Sequence, residues 1–202
     1  VNGNLKQFRA ILKGLIELRE DIDIKWTGQG RVDRKMDDEF FEDIKKSGCI
    51  SLAFGVESGS NRVLEDMCKG ITREEVEQNF FSAKKCDLSP GVMLIPGFPT
   101  ETPQDFYETL MLLWRIRDTY PTFIGAGLTG CNVTEDTVIG QRPDEYKISP
   151  VGLGNNWMTK DFRNTRINRL IRMKMISIFL EHLTNDRNMR YTNRIVSTYK
   201  MD

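Results

Sequence analysis

The chain has 202 residues, of which 39% are hydrophobic and 29% are charged, and its formal net charge is zero. This balance is typical of a globular protein and argues against a disordered chain. No apolar run approaches the ~20 residues that a membrane helix needs, and the N-terminus lacks a basic segment followed by an apolar core. We therefore expect a cytoplasmic protein without a membrane partner.

The cysteines and the charge distribution limit the kinds of site further. The four cysteines are Cys49, Cys68, Cys86 and Cys131. Their spacing predicts neither a Cys-x-x-Cys metal pair nor a disulfide framework, which fits a reduced compartment. From Arg163 to Asp202 there are nine Lys or Arg against three acids, a local charge of +6. We interpret this segment as a solvated helix against an acidic face, with nucleic acid or a phosphorylated ligand as the alternative.

Hydrophobic periodicity predicts helices alternating with strands, then an irregular segment and a last helix. In chain order the predicted elements are helix 5–20, strand 22–31, a short helix between 37 and 48, strand 50–57, helix 61–67, a helix from 72, strand 92–95, a helix from 102, strand 122–129, loop 131–163 and helix 166–183. The last helix is predicted to bury the face formed by Ile167, Leu170, Ile171, Met175, Ile178 and Phe179.

This order of elements predicts the fold class. Strands that alternate with helices require right-handed crossovers and a parallel sheet. We predict an α/β fold, namely a partial TIM-type (β/α) barrel of four parallel strands with helices outside and a C-terminal helical extension. The barrel part would be residues 1–130, and residues 131–202 would form the C-terminal loop and helical extension. Because four strands cannot close a barrel and the chain begins without Met, we expect the C-terminal part of a longer protein.

Polar and glycine-rich residues follow the strands, where a parallel α/β enzyme presents its chemistry. Glu57 ends a strand on the inward face and Ser58 begins the next turn, so the carboxylate could accept from a ribose hydroxyl or an amino group; the alternative is a helix-capping acid. Gly97 and Pro99 lie in the next such loop, where glycine lets a flat ligand approach the backbone; the alternative is a tight turn. Arg31 ends the predicted strand 22–31. Its side chain belongs either to a row of polar residues that face the inside of the barrel or to an ion pair at the barrel rim.

Three motifs together resemble those of radical S-adenosylmethionine enzymes, in the branch often fused to a cobalamin-binding domain. They are Gly-Val-Glu-Ser-Gly-Ser from Gly55, Lys-Gly-Ile-Thr from Lys69 and Gly-Phe-Pro-Thr-Glu-Thr from Gly97. The resemblance covers about residues 1–130, and three motifs in register are more specific than any one of them.

The resemblance implies a function and a set of cofactors. In this family a [4Fe–4S] cluster, bound by Cys-x-x-x-Cys-x-x-Cys, cleaves S-adenosylmethionine to a 5′-deoxyadenosyl radical that abstracts a substrate hydrogen. Glu57, with Ser58, would contact the ribose or amino group of S-adenosylmethionine, and Gly97 and Pro99 would support its adenine. Arg31 is a further cofactor-binding candidate, and cobalamin would be an additional cofactor.

The sequence departs from the family at the cluster motif. No Cys-x-x-x-Cys-x-x-Cys occurs in these residues. We therefore expect the chain to be inactive alone and to hold none of these cofactors firmly. A missing N-terminal half or a cobalamin-binding domain would be its partner, and a second copy could cover an open barrel edge.

Two other classes stay open. The chain could be a different parallel α/β barrel enzyme that uses Glu57 as an acid–base group, or a non-catalytic scaffold or split-enzyme subunit in which the basic C-terminal part matters most. The substrate is not predicted, because the segment from Cys131 onward would select it and carries no assignable motif.

Overall fold

A computed structural model describes residues 2–119, 127–128, 130–151 and 154–184. The helices are α1 Leu5–Leu18, α2 Asp38–Lys46, α3 Asn61–Asp66, α4 Arg73–Lys85, α5 Pro103–Arg115, α6 Val138–Gln141 and α7 Arg166–Thr184, with a 3₁₀ turn at Arg117–Thr119. The strands are β1 Trp26–Gly30, β2 Cys49–Glu57, β3 Pro90–Leu94, β4 Gly127–Leu128, β5 Ile148–Ser149 and β6 Met158–Thr159.

The main sheet has the order β1-β2-β3-β4, with β1 and β2 parallel, and β5 and β6 form a separate antiparallel pair. The predicted α/β class and the partial barrel of parallel strands and helices are confirmed. The strand bounds differ from the prediction by one or two residues in β2 and β3 and by more in β1, which begins only at Trp26. The described part of the fourth strand is Gly127–Leu128. The other positions of the predicted strand 122–129 lie outside the described residues. Within the described residues, no helix is long and apolar enough to cross a bilayer.

The described residues form two compact units that interleave along the chain. The first lies within Val1–Val56, Gly70–Met93 and Leu112–Gly127, and the second within Glu57–Lys69, Leu94–Met111 and the residues from Leu128 onward. The division at residue 130 stays a prediction.

The first unit has an aromatic core. Strand β2 buries Leu52, Phe54 and Val56, which alternate along the strand and so share one face. Phe54 packs against Phe41 of α2 and Phe80 of α4, with ring centroids 6.3 and 5.9 Å away. Both helices begin at side-chain caps: Asp37 accepts from Phe40 N, and Thr72 and Glu75 form a capping box.

The second unit has a mixed core. Its apolar cluster comprises Val63, Phe98, Cys131, Val133, Ile148 and Trp157. The segment 131–163, predicted as a loop, contributes to this cluster and contains the short elements α6, β5 and β6.

Helix α7 buries a different face from the predicted one. Ile167, Ile171, Met175 and Ile178 are exposed, whereas Arg169, Arg172, Met173, Ile176, Ser177 and Leu180 are buried. The prediction was wrong because the two arginines find buried hydrogen-bond acceptors and pack through their aliphatic stems, which outweighs the apolar spacing.

Candidate functional site

The end of β2 and the residue after β3 are adjacent in the second unit. The Ile95 N–H donates to the Glu57 carbonyl over 2.9 Å. Glu57 has a φ of 68°, a left-handed conformation that costs a non-glycine residue about 1–2 kcal/mol. Such strain persists where surrounding contacts hold it and is enriched at functional sites.

The Glu57 side chain is half-buried beside the Lys69 ammonium group. Its Oε1 accepts from the Lys69 Nζ at 2.8 Å, and the two side chains are 16% and 20% exposed. Oε2 accepts no hydrogen bond from the described residues. One carboxylate oxygen therefore accepts from Lys69, and the other can accept from a ligand.

The turn after Glu57 is fixed by helix α5. The Gly59 N–H donates to the Thr109 hydroxyl at 2.9 Å, and the Ser60 N–H donates to the Ser58 hydroxyl at 3.1 Å. A Cβ on Gly59 would lie 2.6 Å from the Thr109 Cα, so only glycine allows this approach. The Ser58 hydroxyl is thus already used inside the turn.

A buried carboxylate, Asp105, joins this turn to the loop after β3. It accepts from the Ser60 hydroxyl at 2.7 Å, from the Thr102 N–H at 2.8 Å and from the Arg62 guanidinium. Burial alone would raise the pKa of Asp105, but the hydrogen bonds from Arg62, Thr102 and Ser60 hold that pKa well below its usual range. The sequence analysis did not identify this role of Asp105.

The loop that begins at Gly97 is held on both sides. The Gly97 N–H donates to Glu101 Oε2 at 3.1 Å, and the Asn164 side-chain amide donates to the carbonyls of Gly97 and Phe98 at 3.1 and 2.9 Å. Gly97 has a φ of 83°, and a Cβ there would lie 2.3 Å from the Arg169 Cγ. Pro99 is buried in the same loop. Glycine at this position therefore permits both the backbone conformation and the approach of Arg169.

Glu101 pairs with Arg172 across the same loop. Its Oε1 lies 2.7 Å from the Arg172 Nη1, and the side chains are 2% and 10% exposed. Burial raises the pKa of Glu101 to about 7, although Arg172 opposes that shift. Sequence reasoning missed Asn164, which precedes α7, and Arg169 and Arg172, which lie on it, because single polar residues give no periodic signal.

Arg31 lies in the first unit, directly after β1. Its N–H donates to the Asn2 side chain at 2.7 Å, and its carbonyl accepts from the same side chain at 2.6 Å. The exposed Arg31 side chain lines a cavity of about 440 Å³ together with Arg34 and Lys35. Glu57, Ser58, Gly97 and Pro99 belong to the second unit. All five cofactor contacts stay predictions.

The cysteines do not form a metal site in the described part of the chain. Cys49 and Cys131 are buried, Cys86 is half-buried and Cys68 is exposed. Burial raises the pKa of Cys49 to about 11 and that of Cys131 to about 12, so both are thiols at neutral pH. Among the described residues, no group of three or more His, Cys, Asp or Glu could hold a metal ion. These side chains do not fit an iron–sulfur cluster.

Comparison with known proteins places the chain in a family. The family model "Radical SAM superfamily" matches residues 4–113. An uncharacterized methyltransferase of Pyrococcus horikoshii is 30% identical over 183 residues, which cover 87% of this chain and 39% of that protein. A threonylcarbamoyladenosine tRNA methylthiotransferase of Aquifex aeolicus is 42% identical over 91 residues, which cover 43% of this chain and 22% of that protein. The chain thus spans well under half of these relatives.

Two solved structures share the fold. Coproporphyrinogen III oxidase of Escherichia coli, a radical SAM enzyme, has a TM-score of 0.61 at 17% identity, covering 87% of this chain and 37% of that one. The radical S-adenosylmethionine methyltransferase TsrM of Kitasatospora setae, with cobalamin and a [4Fe–4S] cluster bound, has a TM-score of 0.55 at 15% identity, covering 65% and 24%. The resemblance predicted from the three motifs is confirmed, and the chain belongs to the radical S-adenosylmethionine superfamily.

Proposed function

We propose that the second unit binds S-adenosylmethionine as part of a radical enzyme that transfers a methyl or methylthio group. The observation that carries this proposal is the hydrogen bond from the Ile95 N–H to the Glu57 carbonyl, 2.9 Å long. It brings Glu57 and the loop from Gly97 to the same edge of the sheet, where parallel α/β enzymes bind ligands. The names of the methyltransferase and methylthiotransferase relatives support the reaction class.

The residues at this edge fit S-adenosylmethionine chemically. The Glu57 Oε2 would accept from the ribose or from the ammonium group, while Oε1 accepts from Lys69. The Asn164 amide already donates to the carbonyl oxygens of Gly97 and Phe98, so each has one acceptor position fewer for a ligand. The loop would therefore support adenine mainly through its fixed shape and the Pro99 ring, with Ser58 holding the neighbouring turn. Arg31 belongs to the first unit, and its contact with the cofactor stays a separate prediction.

The bound cofactor, once cleaved at a [4Fe–4S] cluster, would supply the radical. Since the described side chains do not fit the cluster, we infer that its cysteines come from another polypeptide segment and that this chain is inactive alone. A cobalamin-binding domain is a proposed further partner, in line with the cobalamin bound to TsrM. We place the whole enzyme in the cytoplasm.

Saturation-transfer difference NMR with S-adenosylmethionine tests this proposal, because it detects weak binding without the cluster. We expect transfer to the adenine and ribose protons. Glu57→Gln should weaken binding by about tenfold, the effect of losing about 1.4 kcal/mol of a charge-assisted hydrogen bond. The matched control is Glu65→Gln, at an exposed position of α3. Absence of transfer in the wild-type chain would favour a non-catalytic scaffold, and equal affinity in Glu57→Gln would reject the role of Glu57.

A further inference from the structure

A small cavity beside α7 in the second unit has an unusual charge. Its volume is about 170 Å³, equivalent to about five or six waters. Its wall includes Asn155, Asn156, Arg166, Arg169, Leu170 and Met173. Two of the lining residues are arginines, and none of the described lining residues is acidic.

Arg169 is a buried cation without a carboxylate partner in the described part of the chain. It is 2% exposed, and its ring neighbour is Trp157, with the guanidinium carbon 3.7 Å from the ring centroid. Its hydrogen bonds go to uncharged acceptors, namely the Asn164 side chain at 3.2 Å and the carbonyls of Asn155 and Trp157 at 2.6 and 2.7 Å. No described acid lies within ion-pair distance of it. Its neighbour Arg172, by contrast, forms an ion pair with Glu101.

The surrounding charges leave this cavity positive. Burial, together with the nearby charges of Arg172 and Arg166, lowers the pKa of Arg169 to about 10, so the group stays charged at neutral pH. Arg166 is exposed and forms no ion pair with a described residue. Burying a charge without a counter-charge is unfavourable, and a bound anion would supply the missing negative charge.

The rest of the wall adds a second requirement. The Asn155 Oδ1 is buried and accepts no hydrogen bond from the described residues, which is uncommon for a buried polar atom. Leu170 and Met173 supply apolar surface. We propose that this cavity binds the carboxylate or phosphate of a small ligand that also donates an N–H or O–H to Asn155. The inference goes beyond the proposed function, since it requires neither the cluster nor Glu57.

NMR titration of the chain with inorganic phosphate, and separately with acetate, tests this site at constant ionic strength. We expect saturable shifts of the arginine Nε–Hε signals with at least one anion. Arg166→Gln should weaken that binding by about tenfold, which corresponds to about 1.4 kcal/mol. The matched control, Arg163→Gln, removes an exposed arginine that pairs with Asp161 and should leave the affinity unchanged.

The thermal midpoint of each variant confirms folding, and both replaced side chains are exposed. Two results would overturn the proposal: no saturable shift with either anion in the wild-type chain, or the same affinity in Arg166→Gln as in wild type.

A competition arm identifies the source of the anion. If S-adenosylmethionine displaces the bound anion, the site takes the carboxylate of the cofactor; if both bind together, it takes an anionic substrate. Failure of S-adenosylmethionine to bind at all would count against the proposed function alone, because the anion titration stands without it.

Discussion

The two units are stabilised by different kinds of core. In the first, Phe41, Phe54 and Phe80 are fully buried and contact one another by their rings. In the second, the loop from Gly97 is held by the buried polar groups of Glu101 and Asn164. Apolar packing has little directional preference, whereas a buried carboxylate or amide needs specific partners. The geometry of the candidate site therefore depends on single hydrogen bonds in a way that the aromatic core does not.

The difference between the two cores affects how stability depends on pH. The aromatic groups of the first core do not titrate, whereas Glu101 does so near neutrality. Burial raises the pKa of Glu101 to about 7, above its ordinary value of 4.5. Asp105 behaves in the opposite sense: burial opposes the shift, but hydrogen bonds led by that from Arg62 lower its pKa, so its stabilising effect is lost only in more acidic solution.

The largest expected effect is a loss of stability as pH rises. The folded state binds the Glu101 proton more tightly than the unfolded state does, so the free energy of unfolding falls between about pH 4.5 and about pH 7. The free energy of unfolding would fall by up to about 3 kcal/mol in all, at ~1.4 kcal/mol per pK unit, and Glu101 would cause little further change above that range. Urea unfolding at a series of pH values measures it.

Two variants separate this effect from general destabilisation. Glu101→Gln should flatten the pH dependence, because the titrating group is gone. Phe54→Ala should lower stability by about 3–5 kcal/mol and keep the slope, since it opens a cavity in the other core. A slope that persists in Glu101→Gln would assign the titration to a different group.

An effect of comparable size is expected from the contact between Gly97 and Arg169. Gly97→Ala should destabilise the chain by about 2–4 kcal/mol. Alanine would be strained in the left-handed backbone conformation, and its Cβ would overlap the aliphatic part of the Arg169 side chain. The matched control is Gly70→Ala, where φ is 69° and a Cβ would meet no atom within 4 Å. It should cost only the strain, about 1–2 kcal/mol. Equal losses in urea unfolding would show that Arg169 moves aside easily.

The sequence predicted the first core better than the second. The alternation in β2 is a local signal, and so is the capping box of Thr72 and Glu75; both depend on residues within a few positions of each other. The motif loops were likewise found from their glycines and acids, and the fold class followed from the order of elements.

The residues that hold those loops in place could not be predicted from local sequence patterns. Asn164 lies 67 positions from Gly97, and Arg172 lies 71 positions from Glu101. No periodic pattern marks such pairs, since each partner is a single polar residue whose value depends on where the fold brings it. The apolar spacing of α7 pointed instead to the face that proves to be exposed.

The orientation of α7 gives the smallest expected effect and the most direct test of that correction. Ile171 is 51% exposed and Ile176 is fully buried, and at ~100° per residue they point about 140° apart. Ile171→Ala should change the free energy of unfolding by no more than about 0.5 kcal/mol, because little buried surface is lost and alanine is the better helix former. Ile176→Ala should cost about 2–5 kcal/mol through the cavity it leaves. The reverse order in urea unfolding would mean that α7 buries its apolar stripe, and Arg169 and Arg172 would then no longer be available to the loop of Gly97.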